Sequence, residues 1–249
     1  MKIQACSVDV EVEIIGEGSP LLLVHGWGGS RESLRPLGLL LSKQGYKAIL
    51  LDLPGFGTSE YPPESWGTHE YATCVIDVMK ALHIKQYTYF GHSYGGALGI
   101  YIAARHPDLI DRLILCNSSY KRTNKKSKLV LLKHVVAPLQ HLVNTASLTR
   151  LKMLAYKILY PQSDISRFPH LAQNFKKIMA LDLTSFAADI TAPTLILWGE
   201  TDRATPLEQY GMPLTSLIRG SKIIIYPQQG HALPIHHPEL LVADIASFT

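Results

Sequence analysis

Gly91-His92-Ser93-Tyr94-Gly95 sets a serine between glycines where an apolar run ending at Phe90 gives way to helical spacing. A serine there occupies a tight strand-to-helix turn with its hydroxyl raised above a sheet edge, and the glycines remove side chains that would collide with strand or helix. The helix that follows turns its positive N-terminal end toward the hydroxyl. As five letters, G-x-S-x-G also describes an ordinary glycine-rich turn, so its placement after a strand carries the reading of Ser93 as a nucleophile. A serine hydroxyl attacks a carbonyl only when a base takes its proton and a carboxylate orients that base. Two further residues are therefore required downstream.

Eleven histidines compete for the base. His231 is selected because Gly230-His231 comes directly after the apolar run 223–226, where a loop can return to Ser93. His236 and His237 open the next helical segment and read as surface or capping residues. His25 reads as a residue that holds its loop rather than as a base. Asp202 follows Leu195-Ile196-Leu197-Trp198-Gly199-Glu200-Thr201, again just past a strand end, and is the expected orienting acid. Its bland alternative is an exposed loop acid, and Glu200 in the same turn is its rival. A developing oxyanion needs fixed donors, and Val24-His25-Gly26-Trp27-Gly28-Gly29 supplies a strand followed by a glycine-rich loop. The backbone N–H groups of Trp27 and Tyr94 are expected to form that pocket, which also makes both residues substrate-binding.

The elements that must position these groups are visible in the periodicity. Residues 3–15 alternate apolar and polar side chains, the pattern of a half-exposed antiparallel hairpin at a sheet edge. Short apolar runs at 21–24, 48–51, 87–90, 113–116, 194–198 and 223–226 read as strands covered on both faces. Helical spacing lies between them at 33–44, 69–82, 95–105, 207–217 and 238–248. The alternation predicts an α/β fold, a mostly parallel twisted sheet flanked by helices.

The interval 118–188 breaks that rhythm. No clear strand occurs in it, and apolar residues recur at helical intervals through 129–143 and 148–159. It is expected to be a helical cap inserted between two strands of a core formed by 1–117 and 189–249. Twelve Lys and Arg against Asp164 and Asp182 give it a charge of +10, whereas the rest of the chain carries −6. The overall +4 is an average of two unlike parts. A run such as Lys121, Arg122, Lys125, Lys126 and Lys128 is most often a solvated loop. It could also face an acidic partner or an anionic surface.

At 249 residues, 47% hydrophobic and 18% charged, the chain can bury one large core, which excludes a fibrous or low-complexity protein. No run approaches the length of a membrane span, and residues 1–13 do not form a secretory signal, so a cytoplasmic protein is expected. Cys6, Cys74 and Cys116 lack metal-site or disulfide spacing and read as buried apolar fillers. Nothing resembles a nucleic-acid-binding module.

His25-Gly26-Trp27-Gly28, Asp52-Leu53-Pro54-Gly55-Phe56-Gly57-Thr58-Ser59, Gly91 to Gly96, Trp198-Gly199-Glu200-Thr201-Asp202 and Gly230-His231 together resemble the α/β-hydrolase superfamily over most of 20–117 and 189–249. The order Ser93, Asp202, His231 is the one that family uses. The resemblance implies two-step ester hydrolysis without metal or cofactor, and gives Asp52 a structural loop without a catalytic role. Serine at the elbow departs from the dehalogenase and epoxide hydrolase branches, which use aspartate there. Carbon-carbon bond hydrolases and lipase-like enzymes remain alternatives, as does a weakly hydrolytic ligand-binding protein on the same fold. Within the carboxylesterases, the 25–28 and 52–57 segments and Pro234-Ile235-His236-His237-Pro238 are similar to pimeloyl carrier-protein methyl ester esterases, in which a basic cap receives an acidic carrier protein. His92 and Tyr94 depart from the Trp and Leu common there.

Overall fold

A computed structural model describes residues 1–121 and 167–249. Eight strands form one sheet: β1 (Lys2–Ala5), β2 (Val8–Ile15), β3 (Ser19–Val24), β4 (Tyr46–Leu51), β5 (Tyr87–His92), β6 (Ile110–Cys116), β7 (Thr194–Gly199) and β8 (Lys222–Tyr226). Their order is β1-β2-β4-β3-β5-β6-β7-β8, with β2 antiparallel to both its neighbours and every pair from β4 to β8 parallel. The expected edge hairpin and mostly parallel sheet are both present.

Alternation within each strand divides the core into two layers. Leu22 and Val24 of β3 face one side with Tyr89, Leu113, Leu115 and Trp198, where α2 (Thr68–Ala81) and α3 (Tyr94–Arg105) pack. Leu21 and Leu23 face the other with Leu50, Phe90, Ile114 and Leu197, under α1 (Arg31–Ser42). Because both faces are covered, these strands read as continuous apolar runs, but the run 223–226, expected to be covered likewise, is the edge strand β8, where Ile225 is 40% exposed. Each fully buried leucine contributes roughly 2–3 kcal/mol.

The chain passes from β3 outward to β4, then returns to place β5 on the opposite side of β3. Where strand order reverses in this way, the loops leaving the carboxyl ends part and open a crevice. Gly26 and Trp27 leave β3 at that point, and Ser93 leaves β5.

β6 and β7 pair directly, and between them the described residues form α4 (Ala172–Ala180) and α5 (Thr184–Ala188). The helical segments expected at 129–143 and 148–159 lie outside the described residues. After β7 the described residues form α6 (Gly211–Leu217), α7 (Leu233–His236) and α8 (Pro238–Phe248).

Two further expectations need correction. The helix expected from 207 begins at Gly211, which places Pro213 in its first turn; deeper in a helix its ring would crowd the carbonyl four residues earlier and remove a ladder bond, a cost that α1 bears at Pro36. Cys6 is half-buried rather than a core filler. It sits with Ser7 in the β1–β2 turn at positive φ, its thiol donates to Asp77 at 3.2 Å, and burial with that carboxylate pushes its pKa up to about 11. Cys74 and Cys116 are buried free thiols as expected.

Candidate active site

Ser93 is the residue between β5 and α3, with φ 52 and ψ −112. A non-glycine backbone in that region costs roughly 1–3 kcal/mol and persists only where its surroundings enforce it. Here its N–H donates to the Cys116 carbonyl at 3.0 Å and its carbonyl accepts from Ser119 at 3.1 Å. The flanking glycines permit the close approach. A Cβ on Gly91 would stand 2.4 Å from the Gly95 carbonyl oxygen, and one on Gly95 would stand 2.1 Å from that of Val24. Ser93 thus stands at the positive amino end of a twelve-residue helix, its hydroxyl making no capping bond to it.

The three residues expected downstream of one another in sequence meet here. Ser93 Oγ lies 3.0 Å from His231 Nε2, and His231 Nδ1 lies 2.8 Å from Asp202 Oδ2. A carboxylate only accepts, so Nδ1 carries the proton and Nε2 is left as the acceptor for the serine hydroxyl. His231 follows β8 and Asp202 follows β7. Asp202 is buried and saturated: Asn117 Nδ2 and Thr205 Oγ1 donate to Oδ2 at 2.6 and 2.7 Å, and the N–H groups of Ala204 and Thr205 donate to Oδ1 at 2.7 and 2.9 Å. Burial pushes its pKa up, but the bonds from His231 and Thr205 outweigh it and hold the carboxyl below its ordinary value. The arrangement can carry a proton from a serine hydroxyl onto an imidazole whose positive charge is met by a fixed carboxylate.

The other candidates take distinct places. Trp27 and Tyr94 both border the cavity beside Ser93, and Tyr94 is the first residue of α3, where the helix leaves its N–H without an acceptor of its own. The Trp27 ring packs against Phe56 and Phe175 at 4.9 and 5.1 Å, while the Tyr94 side chain is buried against Trp27 and Tyr71. His25 donates Nδ1–H to the Gly26 carbonyl at 2.7 Å and accepts from Leu53 N–H at 3.0 Å. Its burial lowers its pKa to about 4, as suits a loop-holding residue. Asp52 is buried under bonds from Arg31 and Thr58, away from the reacting groups. Glu200 is exposed and accepts from Gln228 N–H at 3.0 Å, so it does not reach His231. His236 and His237 are exposed.

Sequence reasoning missed Asn117 and Thr205. Each had a faint signal, Asn117 directly after an apolar run and Thr205 three residues past an aspartate, the spacing at which an Asx side chain receives backbone N–H groups.

Ser93 opens into a cavity of about 660 Å³. Phe175, Ile178 and Met179 of α4, with Leu181 and Leu183, form an apolar wall, and Lys121 and Arg203 border it. Among the described residues, no three His, Cys, Asp or Glu side chains gather as a metal-binding group, and no helix is long and apolar enough to cross a membrane.

The family model for the alpha/beta hydrolase fold matches residues 19–140. The 2-hydroxymuconate semialdehyde hydrolase of Pseudomonas putida is 30% identical over 94% of this chain and 88% of that protein. The chain belongs to the α/β-hydrolase family. This α/β-hydrolase is also 24% identical to the pimeloyl-[acyl-carrier protein] methyl ester esterase of Pseudoalteromonas atlantica, over 96% of this chain and 98% of that one. Among solved structures, the enol-lactonase from Burkholderia xenovorans LB400 superposes with a TM-score of 0.78 at 22% identity, covering 100% of this chain and 99% of that one, a likeness of fold. The family and the sheet are those expected from the motifs, and the chain is a hydrolase.

Proposed function

We propose that this hydrolase cleaves carboxylic esters through an acyl-enzyme on Ser93, with His231 as base and Asp202 as orienting acid. The unbroken hydrogen-bond chain from Ser93 Oγ through His231 to Asp202 carries the reading. Ser93 Oγ bonds to the ester carbonyl carbon as its proton passes to His231 Nε2. The N–H groups of Trp27 and Tyr94 hold the oxyanion, each contributing about 3–4 kcal/mol to the transition state. Collapse breaks the bond to the alcohol, which takes the proton from His231. Water then repeats the sequence and frees the acid. The interval 118–188 acts as a cap over the core formed by 1–117 and 189–249, and the protein works in the cytoplasm, where free thiols persist.

A fluorophosphonate probe tests the nucleophile. We expect a covalent adduct on Ser93 and none on Ser93→Ala, whose ester turnover falls about 10⁴-fold or more. An unlabelled, folded wild-type protein would return the chain to the class of ligand-binding proteins on this fold.

Carbon-carbon bond cleavage is the second reading, favoured by the 30% identity to a 2-hydroxymuconate semialdehyde hydrolase. Parallel assays on p-nitrophenyl esters and on that semialdehyde decide by the ratio of kcat/KM.

The partner is an acidic carrier protein or another anionic surface meeting the basic interval. Lys121 and Arg203 border the cavity, and no carboxylate does among the described residues that line it. The Pseudoalteromonas relative acts, by its name, on a carrier-linked ester. Hydrolysis of carrier-linked ester is expected to fall with added salt, while that of a free neutral ester holds. Equal, salt-insensitive rates on carrier-linked, free and vesicle-borne esters would remove the charge from the account.

A further inference from the structure

His92 ends β5 and adjoins Ser93, yet takes no step in ester cleavage by Ser93, His231 and Asp202. Only 5% of it is exposed, and it borders the cavity. Its Nε2 lies 2.8 Å from the His231 carbonyl oxygen, and because a carbonyl can only accept, Nε2 carries the proton. Burial above all, and then the charge His231 acquires, pushes its pKa down to about 3, so the ring stays neutral 5.0 Å from the His231 ring. A neutral imidazole protonated at Nε2 leaves Nδ1 unprotonated, and that edge faces the loop after β3. A Cβ on Gly26 would stand 3.3 Å from His92 Nδ1 and 2.9 Å from Ser93 Cβ. The ring therefore spans from the Trp27 loop to the His231 loop, past Ser93.

The His231 loop is fastened on two sides. Thr201 N–H and Oγ–H both donate to the Gln229 carbonyl, at 2.8 and 2.9 Å, and Gln228 N–H donates to Glu200 at 3.0 Å. These bonds join the loop to the turn that carries Asp202, and so govern the Asp202–His231 separation. The His92 bond lands on the main chain of His231 itself, from the residue beside Ser93. It governs the other separation, the one across which the proton moves.

We propose that His92 is a positioning residue for proton transfer, its Nε2–H holding the main chain of His231 so that the imidazole meets Ser93 Oγ. The inference rests on the reading of Ser93 and His231 as nucleophile and base. His92→Leu fills similar space without a donor, whereas the amide nitrogen of His92→Gln reaches the position of Nε2 and keeps one. With p-nitrophenyl butyrate, we expect His92→Leu to lower kcat about tenfold to 100-fold while KM moves less than about threefold, and His92→Gln to recover kcat to within about threefold of wild type. A His92→Leu enzyme within threefold of wild type, or a His92→Gln enzyme as slow as His92→Leu, overturns the proposal. Should the leucine variant fail to fold, His92→Asn supplies the same contrast with His92→Gln, because its amide is one methylene too short for the carbonyl.

If the wild type neither labels nor hydrolyses, the hydrolase reading falls, and histidine ¹⁵N spectra decide the positioning role alone. His92 protonated at Nε2, with His231 resonances moved by His92→Asn but not by His92→Gln, upholds it. The Nδ1–H tautomer at His92, or His231 resonances indifferent to both, defeats it.

Discussion

Ser93 and His231 stand 3.0 Å apart but are fixed by different kinds of force. On the Ser93 side the restraint is steric. The backbone is held at positive φ, Gly91 and Gly95 leave no room for a methyl group, and no side-chain hydrogen bond caps the helix. On the Asp202–His231 side the restraint is polar: five donors converge on one carboxylate, and His92 holds the base loop from behind. A steric lock fails when atoms are added. A polar one fails when donors are exchanged for groups of the same shape.

Asp202→Asn is the largest expected effect on the polar side. It keeps the shape but removes the charge and confuses the His231 tautomer, so kcat should fall about 10³- to 10⁴-fold in a protein with native circular dichroism. A loss below tenfold would mean that His231 does not depend on the charge of Asp202. The counterpart on the steric side is Gly95→Ala, whose methyl group would stand 2.1 Å from the Val24 carbonyl oxygen and 2.7 Å from that of His25. Backbone atoms cannot yield as a side-chain tip can, and a loss of about 3 kcal/mol or more in urea unfolding is expected. A native midpoint would mean that α3 slides away freely and that the lock is not steric.

The same contrast explains what the sequence reveals. A steric lock demands glycine, and glycine at fixed offsets from a serine is a written pattern, so Ser93 and the strand before it were legible. Alternating and continuous apolar runs likewise revealed every strand among the described residues, because burial of one or both sheet faces leaves a pattern in residues next to one another, although in β8 the apolar run marks an edge strand rather than a covered one. Polar restraint joins residues far apart in the chain: Asn117 meets Asp202 from 85 positions away, and His92 meets His231 from 139. Asparagine and histidine occur in many roles, and nothing local distinguishes these two. The helix expected from 207 starts later for a related reason, since apolar spacing continues through Leu207 while an earlier start would put Pro213 beyond the first turn at the cost of a ladder bond.

Acid separates the two sides by a smaller amount. His25 and His92 are both buried and neutral, with pKa values lowered from 6.5 to about 4 and about 3. Below pH 6.5 the unfolded chain binds protons that the folded chain refuses, so stability is complete above that pH and declines as pH falls toward those lower values. Each histidine should contribute a slope of about 1.4 kcal/mol per pH unit within its window. Asp202, held below its ordinary value, adds its loss only in stronger acid, as pH falls through its folded pKa. Urea midpoints taken from neutrality to about pH 5 test this, and His92→Gln should remove its share of the slope while leaving that of His25. An unchanged slope would mean that His92 is solvated.

The smallest effect is the most discriminating. Thr205→Val is nearly isosteric and removes one donor from Asp202 Oδ2, while Asn117 Nδ2 and the two N–H groups at Oδ1 stay in place. One hydrogen bond to a charged group, in a network that keeps its other members, predicts a fall in kcat of about threefold to tenfold with KM unchanged. Thr205→Ser should restore it, because the hydroxyl returns without the methyl group. A valine variant as slow as Asp202→Asn would mean that the donors act as one cooperative unit, so that losing any member releases the carboxylate. A variant at wild-type speed would leave the Asp202 carboxylate held by Asn117 and the backbone alone, and the polar side would then owe less to side-chain hydroxyls than to the turn itself.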